Sequence, residues 1–273
     1  MILPNHVRDQ FQQKILSWYA THKRTWLPRR DSQNPYRVFV SEVMSQQTQV
    51  ERVVPKFLAF IQALPDFQSL AQCERSVLLA LRSWLGFNSR ALRLQQSAQI
   101  ICTDYEWAVP KTRSQLLALP WIWAYSSASI LAFTYNIPAP VVDTNIRRVF
   151  IHELQWQWLD PEPSLESTQK QLEAIALAVT PEWLANDWNN ALMDYGSAVA
   201  TAKATWIESK SKQSKFEGSK RQVRWNITKR LIKYWESDVS SLQEKFPHPE
   251  FPSIVTGMLA DWLISQNWWK LSV

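Results

Sequence analysis

Glycine is scarce in this chain, and tryptophan is abundant. There are 4 glycines and 16 tryptophans in 273 residues, whereas average usage near 7% would give roughly 19 glycines. Trp121 and Trp123 stand in LPWIWAYSS, a turn between predicted helices, where glycine is favoured because it reaches positive φ without a Cβ clash. We hypothesise that many of these tryptophans are glycines in the living protein, because a codon was translated under the wrong genetic code. A tryptophan-rich core is the alternative. Further tryptophans predicted at turn-like places are Trp84, Trp225, Trp262, Trp268 and Trp269.

Long apolar runs and paired cysteines are also missing. No run of 18 apolar residues occurs, and the N-terminus MILPNHVRDQ lacks the apolar stretch of a signal peptide, so we expect a cytoplasmic protein with no membrane partner. The two cysteines, Cys73 and Cys102, are far apart without metal-ligand spacing. They are predicted to be buried thiols, and a disulfide framework is excluded.

Positive charge is concentrated in one part of the chain. The net charge is +6 and the pI is near 9.3. Between residues 200 and 233, ten Lys or Arg stand against two Glu. This local charge of +8, ten minus two, exceeds the total for the chain, so the remainder is slightly acidic. A basic segment of this kind predicts a polyanionic partner such as nucleic acid.

The apolar spacing predicts a mainly α-helical protein. We expect one helix over residues 7–20 and another over 41–61, with Ser41 as its N-cap and Pro55 kinking or splitting it. A helix pair at 64–81 and a helix at 89–103 follow. Residues 115–119 and 125–135 then form two helices joined by the turn at 121–123, which is a helix-hairpin-helix.

The rest of the chain is predicted to form further helices and a small terminal module. Pro138 and Pro140 hold the approach to Asp143 extended, so Asp143 directly precedes a helix. Two helices around Pro181 fill residues 166–200. The last fifty residues are typical of a winged-helix module, and if Trp268 and Trp269 are read as glycines they form the turn of a hairpin. The predicted divisions are a domain over 1–200, a basic segment over 201–224 and the module over 225–273.

Two acidic residues at predicted helix starts, Glu42 and Asp143, are candidates for acid–base chemistry. Cleaving an N-glycosidic bond requires an acid to protonate the leaving base and a carboxylate to stabilise a cationic sugar. Acids at helix starts are also ordinary, because the helix dipole favours them. The residues alone therefore leave a structural role open for both.

Five ordered segments resemble the helix-hairpin-helix base-excision glycosylases, and in particular the adenine DNA glycosylase (MutY) family. They are SEVMSQQTQV, WLGFNSRAL, LPWIWAYSSASILAF, VVDTNIRRV and ALMDYGS, and the similarity covers residues 8–200. It implies a fold of two helical subdomains. It also implies that Glu42 protonates adenine, that Asp143 stabilises the sugar cation and that Asn145 orients the sugar or water. Tyr125 occupies the position of the lysine nucleophile of bifunctional relatives, so a monofunctional hydrolase is expected.

The same resemblance assigns the DNA contacts. Gln46 and Gln47 match the region that fills the gap left by a flipped nucleotide, while Phe87 and Asn88 probe the opposite strand. Backbone amides of Trp121, Ile122, Trp123 and Ala124 would bind one phosphate, assisted by Arg147 or Arg148. The expected partner is double-stranded DNA with a mispair, bound by a monomer.

Two departures from the family pattern stand out. Typical members carry four cysteines after the MDxG motif that hold an iron–sulfur cluster, but YGSAVATAKATWIESKSKQSKFEGSKRQ contains none. The chain therefore resembles clusterless members, and no cofactor is expected. About fifty residues remain after that segment, too few for the Nudix-like domain that reads 8-oxoguanine. A glycosylase for adenine opposite 8-oxoguanine or guanine, one for another mispair such as T:G, and an inert DNA-binding protein all remain open.

Overall fold

A computed structural model describes residues 3–28, 30, 34–46, 48–82, 88–154, 168–209, 215–261, 263–267 and 270–272. Within them the chain is mainly helical, as predicted. The helices are α1 Asn5–His22, α2 Pro35–Ser45, α3 Val50–Ala63, α4 Phe67–Gln72, α5 Arg75–Arg82, α6 Asn88–Asp104, α7 Arg113–Ala118, α8 Ala124–Tyr135, α9 Thr144–Phe150, α10 Gln169–Val179, α11 Ala185–Ala198, α12 Ala202–Thr205, α13 Lys220–Tyr234, α14 Val239–Lys245 and α15 Phe251–Ala260. The strands are β1 Glu236–Asp238, β2 Ser265–Asn267 and β3 Lys270–Ser272. In these described ranges, none of the helices is both long and apolar enough to cross a membrane.

The chain forms two compact units that are interleaved in sequence. The first unit comprises Met1–Glu42, Pro110–Ala118 and Ile122–Lys212. The second unit comprises Val43–Val109, Leu119–Trp121 and Gln213–Val273. The prediction of two helical subdomains is therefore confirmed, and the predicted module at the C-terminus belongs to the second unit.

The core of the first unit forms where α11 packs against α1, α8 and α9. Trp188 is fully buried there, and its ring meets Phe11 edge-on at 5.5 Å between centroids. Phe11 also contacts the ring of Phe150 at 6.3 Å. Removing a buried aromatic ring of this size costs about 3–5 kcal/mol. At Trp188, at least, tryptophan is a core residue, as the alternative composition hypothesis requires.

The terminal module has the winged-helix topology that the sequence predicts. Its elements follow the order α13, β1, α14, α15, β2, β3, and the antiparallel sheet has the order β1-β3-β2. Strands β2 and β3 form the predicted hairpin, while the turn predicted at Trp268 and Trp269 lies outside the described residues. Ser219 caps α13 by accepting from the amide of Gln222. The predicted boundary at 224/225 is wrong, because it would cut this helix.

The structure also corrects the start of the second predicted helix. Helix α2 begins at Pro35, and the side chain of Asn34 accepts hydrogen bonds from the amides of Tyr36 and Arg37 at 2.9 and 3.2 Å. Asn followed by Pro is a strong start signal, so Ser41 is not the N-cap but a buried residue inside the helix. The break falls after Ser45, and Pro55 lies within α3.

The prediction of two buried thiols is wrong. Cys73 and Cys102 are both partly exposed and unbridged. Cys73 is the C-cap of α4, and Cys102 lies in the last turn of α6, positions where a helix end reaches the surface. Partial burial, with the nearby charges of Glu74 and Asp66 respectively, raises the pKa of each thiol.

Tryptophan dominates the backbone positions that favour glycine. Of the described residues other than glycine, seven have positive φ, and five of them are tryptophans with φ between 57° and 67°. These are Trp107, Trp121, Trp183, Trp206 and Trp235. This conformation costs an L-residue roughly 1–2 kcal/mol. Because Trp183 and Trp206 are more than 80% exposed, burial of their rings offsets little of that cost. The glycine hypothesis requires this pattern, and the codons remain its direct test.

The other tryptophans with predicted turns differ from these five. Trp123 has φ −97°, which is ordinary for any residue. The turn predicted at Trp225 is wrong, because this residue lies inside α13. Trp84 and Trp262 lie outside the described residues.

Candidate active site

Asp143 is the N-cap of α9 in the first unit. Its Oδ1 accepts a hydrogen bond from the amide of Ile146 at 2.7 Å, and its Oδ2 accepts from Nδ2 of Asn145 at 3.2 Å. The N-cap position gives the carboxylate extended backbone geometry and one satisfied amide at the helix start. The side chain that sequence reasoning placed ahead of a helix is thus held in a fixed orientation.

Burial raises the pKa of the Asp143 carboxyl above its ordinary value. The hydrogen bonds from Ile146 and Asn145, and the charge of Arg148, act in the opposite direction but do not cancel it. Burial disfavours the charged form, so an anion in this position is strongly attracted to any cation that replaces the missing water. The site therefore suits the stabilisation of a positive charge.

Asn145 is held by residues distant in sequence. Its Oδ1 accepts a hydrogen bond from a terminal guanidinium nitrogen of Arg148. The Nε of Arg148 also donates a hydrogen bond to the carbonyl of Ala200 at 3.0 Å. A Cβ at Gly196 would lie 2.9 Å from both Cβ and the carbonyl oxygen of Asn145. Gly196, in the ALMDYGS segment, therefore allows the loop of Asp143 and Asn145 to pack directly on α11.

The first unit also contains the other two predicted catalytic residues. Glu42 is 3% exposed and lies in the last turn of α2, not at a helix start as predicted. Tyr125 is the second residue of α8 and is partly buried. Helices α7 and α8 pack against each other as the predicted helix-hairpin-helix. All four predicted catalytic residues thus belong to one compact unit.

The turn before α8 differs between its two halves. In the second unit, Ser97 donates to the carbonyl of Pro120 at 3.1 Å, and the Arg93 guanidinium lies 4.6 Å from the centre of the Trp121 ring. In the first unit, Ile122 is buried at 4% exposure, while Trp123 is 62% exposed and is the N-cap of α8, with no capping hydrogen bond from its side chain. Ala124, the first residue of α8, is exposed. The Trp123 ring and the exposed Ala124 therefore lie at this helix start, next to the partly exposed Tyr125.

The remaining predicted DNA contacts are only partly described. Gln46 follows α2, is partly buried, and accepts a hydrogen bond from Arg90 at its carbonyl. Gln47 and Phe87 lie outside the described residues, and Asn88 begins α6. Arg147 is only 8% exposed and donates to the carbonyl of Glu208 at 3.4 Å. Its guanidinium therefore binds the protein's own backbone and is not presented at the surface for a phosphate.

Sequence reasoning missed an ion-pair cluster around Asp194. This carboxylate is 1% exposed and binds Arg30 through two hydrogen bonds of 2.5 and 2.7 Å. Nε and the backbone amide of Arg24 add bonds of 2.6 and 3.1 Å. Both arginines also line a polar cavity of about 130 Å³ in the first unit. The MDYG segment was the available signal, but its arginine partners lie more than 160 residues away.

We expect Asp194→Asn to lower the free energy of unfolding by about 3 kcal/mol at pH 7, because it leaves two guanidinium groups without their buried counter-charge. Burial alone would raise the pKa of Asp194, but Arg30 and Arg24 hold it below its ordinary value. A lowered pKa adds stability above the unfolded pKa, and this is lost as pH falls through the folded pKa. The difference between the two proteins, measured by urea denaturation, should therefore shrink below about pH 4. Asp187→Asn, a change on the same helix, is the control; an equal loss there would contradict the ion-pair explanation.

The segment after α11 does not fit an iron–sulfur cluster. Such a cluster takes four thiolates, whereas the chain has two cysteines, at 73 and 102. Instead, α12 follows Thr201, whose side chain accepts from the amide of Ala204, and Ile207 is buried. Arg147 and Arg148 donate to carbonyls at Glu208 and Ala200. Hydrogen bonds from α9 thus hold the start of this segment.

Comparisons with known proteins agree with this architecture. Residues 40–176 match the HhH-GPD superfamily of base excision DNA repair proteins. The chain is 35% identical over 192 residues to the adenine DNA glycosylase of Mycolicibacterium smegmatis, covering 70% of this chain and 64% of that protein. It is 31% identical over 199 residues to the human adenine DNA glycosylase, covering 70% and 36% respectively. The chain thus spans less than two thirds of the length of these curated relatives.

Solved structures show the same fold. A thermostable thymine-DNA glycosylase superimposes with a TM-score of 0.65 at 24% identity, over 74% of this chain and 91% of that one. Endonuclease III in a non-covalent DNA complex gives a TM-score of 0.61 at 16% identity, over 74% and 90%. The helical fold, the helix-hairpin-helix and the match over half of the sequence establish that this chain belongs to the HhH-GPD superfamily of base excision DNA repair proteins.

Proposed function

We propose that this protein is a monofunctional DNA glycosylase that removes adenine paired with 8-oxoguanine or guanine. The observation that carries the proposal is the position of Asp143, which is the N-cap of α9 and lies partly buried beside Asn145. The chain is also 35% identical over 192 residues to an adenine DNA glycosylase. Double-stranded DNA as partner, a monomeric state and a cytoplasmic location are parts of the same proposal. No metal or cofactor takes part in the proposed reaction.

The proposed reaction divides two tasks between Glu42 and Asp143. Glu42 donates a proton to a ring nitrogen of adenine, so that the bond between C1′ and N9 breaks with its electron pair leaving on the base. The Asp143 carboxylate stabilises the cationic sugar. A water molecule, oriented with the help of Asn145, then adds to C1′ and loses a proton. The products are free adenine and an abasic site.

Strand cleavage is not expected to follow. A Schiff base at C1′ requires an amine, and the phenol of Tyr125 cannot form one. The backbone at the start of α8, from Trp121 to Ala124, is proposed to bind a phosphate of the target strand, since amides at a helix start attract anions. The exposed Trp123 ring stands at this position and limits how closely a phosphate can approach.

A panel of mispaired duplexes tests the proposal. Single-turnover reactions with A:8-oxoG, A:G, T:G and A:T duplexes are followed by alkali cleavage of abasic sites. We expect product from the first two only, and no strand break before alkali. Release of thymine from T:G but not of adenine would assign the protein to another mispair. Binding to every duplex with no abasic product from any would show an inert DNA-binding protein.

A further inference from the structure

Three cations of the terminal winged-helix module, which begins with α13, are paired with carboxylates. Lys220 binds Glu250 at 2.5 Å, Arg224 binds Asp261 at 2.5 Å, and Lys270 binds Glu236 at 2.7 Å. These pairs use most of the acidic side chains of the module. Their charges are largely neutralised by partners within the protein, so they contribute little to the attraction of an external anion.

A second group of cations in the same module has no such partners. Lys229, Arg230, Lys233 and Lys245 form no ion pair with any carboxylate of the described ranges, and the three lysines are exposed. Together with Trp225 and Tyr234 they form one surface, which we call the α13 patch. Its charge is +4, because it contains four cations and no acid.

Aromatic rings hold the cations of the α13 patch close together. Lys229 lies 4.9 Å from the centre of the Trp225 ring, and Arg230 and Lys233 lie 4.8 and 5.1 Å from that of Tyr234. A hydrogen bond from Lys233, followed by the charges of Lys233, Arg230 and Lys245, lowers the pKa of Tyr234. Three cations of α13 thus lie against the rings of Trp225 and Tyr234, and the charge of Lys245, in α14, acts on Tyr234 as well. Interleaved cations and aromatic rings are typical of surfaces that bind nucleic acid.

Helix α15, which stands where a winged helix places its recognition helix, has a different character. Its sequence FPSIVTGMLA contains no charged residue, and Phe251, Ile254, Val255 and Met258 are buried in the core. Pro252, Ser253 and Thr256 are exposed but uncharged. Helix α15 therefore offers no cation for a phosphate and no arginine for a guanine edge.

We propose that the α13 patch, rather than the recognition-helix position α15, binds the phosphate backbone of duplex DNA. The proposal rests on the proposed function in that DNA is the substrate, but it concerns binding and not base release. The contact is independent of sequence, because it involves phosphates and not base edges. It supplies a second anchor on DNA, formed by the second unit, in addition to the site that carries Asp143.

Salt-dependent binding to a lesion-free 30-base-pair duplex tests this proposal with the full chain. Each phosphate contact contributes roughly 0.9 to the slope of log K against log salt. The double variant Lys229→Ala/Lys233→Ala is expected to reduce the slope by about 2 between 50 and 200 mM salt, following that same relation. Lys220→Ala is the matched control, because it lies on the same helix but is paired with Glu250. It should leave the slope unchanged.

Two outcomes would overturn the proposal. In the first, the double variant keeps the wild-type slope while its thermal melting shows an intact fold, as expected if the patch serves an acidic partner protein. In the second, Thr256→Glu on α15 weakens binding as strongly as the double variant does. Because the duplex carries no lesion, the result does not depend on base release. A chain that fails every glycosylase assay can still show the change in slope, so the two proposals fail separately.

Discussion

Asp143→Asn is expected to reduce the single-turnover rate of base release by about 10³-fold or more, without unfolding the protein. The loss is large because the carboxylate provides the negative charge opposite the developing sugar cation. The fold should survive because asparagine is as good an N-cap as aspartate, and its side-chain oxygen can still accept from the amide of Ile146, now 2.7 Å from Oδ1. The assay is abasic-site formation on an A:8-oxoG or A:G duplex, with thermal melting measured in parallel.

Asp66→Asn is the matched control for this variant. Asp66 is also an N-cap, of α4, and accepts from the amide of Ser69 at 2.8 Å. Equal losses of activity in the two variants would mean that capping, and not the charge at 143, matters. A further check is the pH profile. Since burial raises the pKa of Asp143, the wild-type rate should decline on the acid side at a pH above that of an ordinary aspartate, as the anion is lost.

The second large effect concerns the five tryptophans with positive φ. Replacing Trp107, Trp121, Trp183, Trp206 and Trp235 together with glycine is expected to raise the free energy of unfolding by about 4 kcal/mol. Each substitution relieves roughly 1–2 kcal/mol of backbone strain. Two costs reduce this gain: the larger conformational entropy that glycine loses on folding, and the loss of the contact between Arg93 and the Trp121 ring. The midpoint of thermal unfolding should rise by roughly 10 °C. Urea denaturation gives the free energy.

Two single variants distinguish relief of backbone strain from a general effect of replacing tryptophan with glycine. Trp123→Gly removes a side chain that is also exposed, but from a residue with φ −97°, so no gain is expected there. Trp188→Gly should destabilise strongly, because that ring is fully buried against Phe11. If the five-residue variant is no more stable than the parent, the glycine hypothesis loses its structural support. TGG codons at these positions would end it.

Several features could be predicted because their signals are local. The helix-hairpin-helix and the helix after Asp143 follow from apolar spacing and from prolines close in sequence. The start of α2 could also be predicted from the sequence, because Asn34 is an N-cap and Pro35 is the first helical residue. A helix beginning at Ser41 would place Glu42 at a helix start, but Glu42 is buried in the last turn of α2. The chemistry assigned to Glu42 depended on the resemblance and not on that placement.

Other features could not be predicted because they join residues distant in sequence. Asp194 forms ion pairs with Arg24 and Arg30 only when α11 packs against the segment after α1. Arg147 and Arg148 are adjacent, yet one donates to Glu208 and the other to Ala200 and Asn145. From residue type alone, every lysine and arginine is expected to be a surface cation. Burial decides which arginines hold the protein together and which cations remain to attract DNA.

The sequence by itself determined the helical class, the order of the segments that resemble adenine DNA glycosylases, and the absence of cysteines after Asp194. These properties depend on residue types and local spacing. Only the tertiary structure decided that Gly196 lies against Asn145, that Asp143 is buried enough to raise its pKa, and that five tryptophans have glycine-like backbone angles. Burial, electrostatic environment and backbone conformation arise from packing between distant segments, which residue order alone does not display.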